Sequence, residues 1–368
     1  VDAPEQMAGT TSTDLVEVGG EVVERGDFSG PGGARTLLRD RRVEVAILET
    51  ARGGLLRRGL AVNRADAALV TNIAADHLGE FGILDLPALA EAKLVVARAL
   101  KPKGRLVLNA DDPELVAAAR DGRLGAAIAW FSLDAPNPVL KKALAGGSEA
   151  CFLDGGALVL ARGKAKKDRI EVTRVENVPV AFGGAARHNV ANALAAIAMA
   201  SAIGIPPEAM ATGLRRVGNT LADNPGRANV FERGGVQILL DYAHNPHGLT
   251  ALLDVARSLP AGRRLLLLGQ AGDRTDEAIR DLARAALPFQ ADRIVIKELP
   301  EMLRGRQPGE VPAILEDELR RNGVPAGRIE RAGSELEGAR RLLAEARAGD
   351  LVVLLVHTQR EAVIDCLS

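Results

Sequence analysis

VAILETARGGLLRRGLAVNRADAALVTNIAADHLGE, residues 45–80, decides the fold class. It holds two short apolar runs, Val45-Ala46-Ile47-Leu48 and Ala67-Ala68-Leu69-Val70, each ending abruptly in polar residues. Short apolar runs closed by turn residues suit buried parallel strands, and the interval between them has room for one crossover. Glu49 sits at the carboxyl end of the first run, and Asn72, Asp76 and His77 follow the second. In open α/β sheets ligands collect at the carboxyl ends of strands, so Glu49 and His77 are placed to face one crevice. A carboxylate and an imidazole beside Gly53-Gly54 suit a divalent metal near an anionic ligand. Taken by themselves, the same residues read more simply as a capping acid and a surface histidine.

Upstream, Gly19-Gly20 marks the turn of a hairpin over 16–23, and 34–40 reads as a short helix. Downstream, 86–100 has apolar residues at helical spacing and is expected to form one amphipathic helix. A strand over 105–109 follows, ending in Asn109-Ala110-Asp111-Asp112-Pro113, then a helix over 113–120 and a strand over 126–131. This alternation predicts a doubly wound parallel sheet. Between 136 and 182 short alternating stretches at 151–153, 157–161 and 169–175 are divided by Asp154-Gly155-Gly156 and Gly163, which predicts a small antiparallel sheet appended to the parallel one. Helices follow at 188–203 and 206–217. GNTLADNPG, 218–226, has no periodicity and is the best linker. Strands at 236–241, 264–268, 293–297 and 351–356 then alternate with helices at 249–259, 276–287 and 310–322. Two domains result, 1–222 and 223–368.

The 368 residues carry 47 Lys and Arg against 48 Asp and Glu. That near-balance argues against a nucleic-acid or membrane-surface partner. One Trp, one Tyr and seven Phe leave little for base stacking. Cys151 and Cys366 lie far apart without metal-ligand spacing and fit a reducing cytoplasm. Neither a signal peptide nor an apolar run long enough to span a bilayer is visible.

Further candidates sit at strand and helix ends. Asp241-Tyr242-Ala243-His244-Asn245-Pro246 follows a strand directly, and Gly269-Gln270-Ala271-Gly272-Asp273-Arg274 follows the next. Gly-rich turns at helix starts expose N–H groups to anions, and Arg274 adds a guanidinium suited to carboxylate or phosphate. Each is also ordinary turn chemistry. Asn189 and Asn192 share a helix face, which suggests amide bonds to a ligand or a neighbouring loop. Capping accounts for one of them. Lys93, on the helix after the His77 loop, reads by default as a snorkelling lysine. Leu303-Arg304-Gly305-Arg306 reads as a solvated basic turn.

In order, Leu48-Glu49-Thr50-Ala51-Arg52-Gly53-Gly54, Thr71-Asn72-Ile73, Asp76-His77-Leu78-Gly79, Asn109-Ala110-Asp111-Asp112-Pro113, His188-Asn189 with Asn192, Pro225-Gly226-Arg227, Asp241 to Pro246 and Gly272-Asp273-Arg274 resemble the Mur ligase superfamily, ATP-dependent ligases that join an amino acid to a carboxylate. The glutamate stretch and Leu303-Arg304-Gly305-Arg306 most resemble the Mur-ligase-like half of cyanophycin synthetase. The resemblance implies a parallel-sheet central ATPase domain, 1–222, then a Rossmann-like domain, 223–368. It also implies ATP and Mg²⁺ as cofactors and an acyl-phosphate intermediate. By motif, Glu49 matches the ligand of the Mg²⁺ on the ATP phosphates and His77 that of a second Mg²⁺. Lys93 matches a lysine that many relatives carbamylate. Asn189 and Asn192 match adenine contacts, and Arg227 and Asp241 match residues that domain closure brings to the nucleotide. His244, Asn245, Asp273 and Arg274 match groups facing the incoming amino acid or the acyl phosphate. An aspartyl or similar carboxylate receiving an amino acid such as arginine is the substrate pair implied; a homo-oligomer stays open.

One departure stands out. The family's phosphate-binding loop, of the form GTxGKT, has no counterpart here, and Gly9-Thr10-Thr11-Ser12-Thr13-Asp14 lacks the lysine. The expectation is that the first strand, this loop and the first helix precede Val1. The rival, from another class, is a non-catalytic nucleotide-binding or assembly protein.

Overall fold

The computed structural model describes residues 6–74, 79–120, 122, 124–163, 165–221 and 223–367. The chain divides into two compact units, Val1–Val172 with Ala191–Met210, and Thr173–Val190 with Ala211–Ser368. The fold is α/β, with parallel-containing mixed sheets.

The first unit is built on two mixed sheets, where the alternation predicted one doubly wound sheet. A four-stranded sheet runs β3-β2-β1-β4, from β1 (Ala8–Thr11), β2 (Leu15–Val18), β3 (Glu21–Arg25) and β4 (Val45–Leu48). Gly19 and Gly20 turn the β2–β3 hairpin at φ of 59° and 83°, the left-handed pair that such a tight connection requires. β4 pairs in parallel with β1, Thr11 opposite Leu48. It ends the sheet with its apolar residues uncovered: Ala46 is exposed and Ile47 is 57% exposed.

The second sheet runs β10-β9-β8-β7-β6-β5. Its strands are β5 (Ala65–Val70), β6 (Leu100–Asn109), β7 (Ala127–Ser132), β8 (Ala150–Asp154), β9 (Ala157–Ala161) and β10 (Arg169–Arg174). β5 to β8 are parallel and β8–β9 is the antiparallel hairpin expected at Asp154-Gly155-Gly156. Leu106, Leu108, Trp130 and Phe152 pack this sheet against Leu89, Leu94 and Leu115. The two strands of the 45–80 stretch thus belong to different sheets, β4 on β1 and β5 on β6, each at an edge.

Helices differ in detail. The helix expected over 86–100 is α-helical only over Leu86–Leu94, continues as a 3₁₀ turn, Val95–Ala99, and gives way to β6 at Leu100. Val95 and Val96 are β-branched, and the residue before Pro102 is forced toward extended backbone. A helix at Pro138–Ala145, capped by Asn137, was not legible as such in the 136–182 region.

The second unit carries one six-stranded sheet, β11-β12-β16-β13-β14-β15. Its strands are β11 (Asn229–Arg233), β12 (Val236–Asp241), β13 (Arg264–Leu268), β14 (Arg293–Lys297), β15 (Ile329–Ala332) and β16 (Leu351–Leu355). All pairs but β11–β12 are parallel. Helices Pro246–Ser258, Asp276–Ala286, Glu310–Arg321 and Glu335–Glu345 connect successive parallel strands and cover both faces. Covered twice, β16 is a continuous apolar run, LVVLL, and β13 is one after its first residue, Arg264. GNTLADNPG is not a loose connection. The buried Asn229 amide donates to the carbonyls of Asn219, Thr220 and Asn224 and accepts from Gly226 N–H.

Candidate functional site

In the first unit oriented polar groups follow the ends of β1 and β4 in one sheet and those of β5 and β6 in the other. Glu49 follows β4, and its backbone N–H donates to Thr11 Oγ1 at 3.2 Å. Its carboxylate accepts from Thr13 N–H at 3.0 Å and from Thr13 Oγ1 at 3.1 Å. The strand-end threonines therefore aim Glu49, leaving an exposed carboxylate oriented at a sheet edge. Among the described residues no group of three or more His, Cys, Asp and Glu is placed to hold a metal. A lone oriented carboxylate still fits Mg²⁺, which usually takes one or two carboxylates and fills its octahedron with water and phosphate oxygens.

His77 lies outside the described residues, but the segments flanking it are fixed. Asn109 Nδ2 donates to the Thr71 carbonyl at 3.1 Å, and Asp112 accepts from Ile73 N–H at 2.6 Å. Lys93 Nζ donates to the Asn72 carbonyl at 3.1 Å. Asn109-Ala110-Asp111-Asp112 is thus a clamp on the turn after β5, and Lys93 also reaches that turn. Asp111 ties the end of β6 to the end of β7 through Leu133 N–H, 2.7 Å, and Asn137 Nδ2, 3.0 Å.

Helix Arg187–Ala202 presents the asparagine pair. Asn189 Nδ2 donates to the Val180 carbonyl at 2.7 Å, securing the turn before the helix, while Asn192 is exposed. The loop-binding alternative therefore accounts for Asn189. Burial, with a smaller contribution from His247, pushes the neighbouring His188 imidazole below its ordinary value.

In the second unit the strand ends converge more tightly. Asp241 accepts from Ala228 N–H at 2.7 Å and from Ala243 N–H at 2.6 Å. The first bond holds Ala228 at φ 49°, a left-handed conformation costly for any residue with a Cβ, and sets Arg227 beside Asp241. Burial raises the Asp241 carboxyl above its ordinary value, against the pull of these bonds and of Arg227. Asn245 caps helix Pro246–Ser258, its Oδ1 accepting from Gly248 N–H at 2.8 Å. The buried Gln270, after β13, donates to the His244 carbonyl at 2.9 Å and so joins the two strand-end turns.

The basic turn at 303–306 is exposed at Arg304 and Gly305, as a surface turn would be, but Arg306 is turned inward. Arg306 keeps only 15% of its side chain exposed and donates to the carbonyls of Gly272, 3.0 Å, and Arg274, 2.8 Å, as well as to Asp276 and Glu310. Arg304 pairs with Asp273. Gly272 N–H donates to the Met302 carbonyl at 2.8 Å, and a Cβ on Gly272 would lie 2.0 Å from the Leu303 carbonyl oxygen. The turn carrying Asp273 and Arg274 is therefore gripped by the Leu303-Arg304-Gly305-Arg306 loop.

Sequence reasoning missed one cluster here. Lys297, ending β14, is fully buried and donates to Glu335, to the Leu355 carbonyl and to His357 Nδ1, 3.2 Å. Burial draws Lys297 down to about 8, so it stays charged at neutral pH against Glu335. Although burial raises the Glu335 carboxyl, Lys297 and the N–H groups of Thr358 and Gln359 hold it at about 2. The signal was present: a lysine directly terminating the run Ile294-Val295-Ile296 is unusual for a strand covered on both faces.

This chain is made of Mur ligase domains. Residues 32–200 match the Mur ligase middle domain and residues 226–355 the Mur ligase, glutamate ligase domain. It belongs to the Mur ligase superfamily. Cyanophycin synthetase of Trichormus variabilis is 37% identical over 97% of this chain and 39% of its own length, and that of Synechocystis 39% identical over 84% and 35%. The chain thus spans about two fifths or less of the length of these cyanophycin synthetases. A solved folylpolyglutamate synthase from Mycobacterium tuberculosis, complexed with ADP and AMPPCP, superposes with a TM-score of 0.68 at 18% identity, covering 99% of this chain and 85% of that one. Among the described residues no helix is long and apolar enough to cross a membrane.

Proposed function

We propose that this chain is the Mur-type portion of an ATP-dependent ligase that joins an amino acid to a carboxylate through an acyl phosphate, of the cyanophycin-synthetase kind. The observation that carries the proposal is the run of oriented polar groups at strand carboxyl ends: Glu49 after β4, Asp241 ending β12 and Asp273-Arg274 after β13. It is supported by the 37% identity to cyanophycin synthetase over 97% of this chain.

Glu49 would hold the Mg²⁺ of the ATP phosphates and His77 a second Mg²⁺, with Lys93 beside the same turn. Bound Mg²⁺ neutralises charge that develops on transferring phosphoryl oxygens. Asn189, Asn192, Arg227 and Asp241 would serve the nucleotide. His244, Asn245, Asp273 and Arg274 would meet the amino acid and the activated carboxylate. The central domain would extend to residue 222 and the C-terminal domain from 223, and the protein would act in the cytoplasm on small-molecule or peptide carboxylates. The uncovered apolar edge of β4 supports a further parallel strand docking there, since parallel strands are ordinarily flanked and buried. In the proposed full enzyme that strand precedes Val1 and carries the phosphate loop.

Two measurements test this. Reading the coding sequence upstream of Val1 should reveal a GTxGKT-type loop; its absence there favours the non-catalytic rival. ADP release from the longer polypeptide, screened over amino acids and acidic peptides, should then require both a carboxylate and an amine. Turnover that survives in folded Glu49→Ala and His77→Ala proteins would refute the metal assignment.

A further inference from the structure

A fully buried ion pair is seldom present for stability alone, because well-packed apolar residues of the same volume are often as stable. Lys297 and Glu335 are each 0% exposed in their side chains, and what they share is His357, itself 3% exposed. The hydrogen-bond chemistry at His357 has one solution. A lysine ammonium has only donors, so His357 Nδ1, 3.2 Å from Lys297 Nζ, must accept. The ring proton therefore sits on Nε2, which donates to the Ala243 carbonyl at 3.1 Å. Glu335 completes the frame by accepting from the backbone N–H groups of His357, 2.6 Å, Thr358, 2.8 Å, and Gln359, 2.7 Å. On the other side of the ring lies Tyr242, edge-on at 5.2 Å, which in turn meets His244 at 5.4 Å.

We infer that Lys297, Glu335 and His357 form a positioning relay that fixes the conformation of the 241–245 turn, and through it the placement of His244 and Asn245 toward the amino-acid substrate. The substrate half of this inference rests on the ligase reading above; the relay itself does not. The ion pair points the lysine, the lysine selects the imidazole tautomer, and the tautomer supplies a donor to the Ala243 carbonyl. His357 is a positioning residue, not one that touches reacting atoms.

The test uses the full chain with ¹⁵N-histidine and ¹³C-tyrosine. Tyr242 is the chain's one tyrosine, so its ring signals report the turn without assignment ambiguity. In the unmutated protein at pH 7 the His357 nitrogens should show a neutral ring protonated at Nε2 only; a ring protonated at Nδ1, or a cationic ring, overturns the relay. His357→Gln retains a donor for Ala243 and an acceptor for Lys297 and should leave the Tyr242 signals in place. His357→Leu and Lys297→Met should shift or broaden them, and unchanged signals in folded His357→Leu protein also overturn it. Titration with L-arginine and L-aspartate gives the second arm. An amino acid that perturbs Tyr242 in the unmutated protein should bind the Gln variant equally and the Leu variant at least tenfold more weakly; equal binding by the Leu variant overturns the positioning role. If neither amino acid perturbs Tyr242 while the tautomer and variant shifts are as expected, the relay stands and it is the ligase reading of this turn that fails.

Discussion

Glu49 and His357 illustrate two ways a single residue is held ready. Glu49 is exposed and aimed by Thr13, so the metal proposed for it would displace a hydroxyl partner at small cost. Glu49→Gln removes the charge while keeping the shape. In the longer polypeptide it should lower Mg²⁺-dependent ADP release by about a hundredfold or more, the scale of losing one preorganised electrostatic contact. Steady-state rates across a Mg²⁺ series check this, and removing the metal should match the variant. His357 is buried, and burial together with the Lys297 charge lowers it to about 3 from 6.5, with Glu335 opposing and His244 adding to the effect. A folded-state value below the unfolded one means the unfolded chain binds the proton more tightly. The associated stability is complete above about pH 6.5 and is lost as pH falls toward 3, at roughly 1.4 kcal/mol per pH unit. Glu335, held at about 2, adds a second loss below about 4.5. Denaturant midpoints measured from pH 7 to 5 should therefore fall more steeply for the unmutated protein than for His357→Gln, which keeps only the smaller loss from His188.

Elements and their connections carry the next set of constraints. The 218–226 stretch reads as a linker because it is rich in turn residues, yet one buried amide three residues beyond it, that of Asn229, satisfies three of its carbonyls. Asn229→Ala strands those carbonyls and should cost roughly 3 kcal/mol in chemical denaturation. The basic turn at 303–306 is likewise invisible in composition as a clamp, since a one-dimensional pattern cannot say which carbonyls a guanidinium will meet. Gly272→Ala would drive a methyl into the Leu303 carbonyl and should cost about 1–3 kcal/mol, with the Arg306 contacts to Gly272 and Arg274 loosened. Hydrogen exchange confined to 270–275 and 302–307 would locate the damage. A uniform rise in exchange over the whole second unit would contradict that mechanism.

At the scale of the whole molecule, two compact units each present strand carboxyl ends bearing polar side chains, and both belong to one ligase superfamily. The phosphate loop's lysine ordinarily neutralises the β and γ phosphates, and no motif in this sequence replaces it. On the ligase reading proposed above, the chain by itself should release ADP at least about a hundredfold more slowly than a longer polypeptide carrying such a loop, if the upstream coding sequence encodes one. Equal rates would show that the β4 edge needs no added strand.

Local pattern by itself determined the α/β class, the hairpins at Gly19-Gly20 and Asp154-Gly155, most strands of the second unit and the ordered motifs that mark the superfamily. These rest on periodicity, turn stereochemistry and strand-end polarity, all of which act over a few residues. Only the tertiary structure decided that β4 and β5 lie in separate sheets, that Asn109 and Asp112 clamp the turn after β5, and that Arg306 grips the Asp273-Arg274 turn. The same is true of Lys297, Glu335 and His357, which lie 38 and 60 residues apart from the lysine and meet in one buried cluster. Long-range hydrogen bonds and the burial of charge depend on which chain segments share a low-dielectric space, and no local sequence period encodes that.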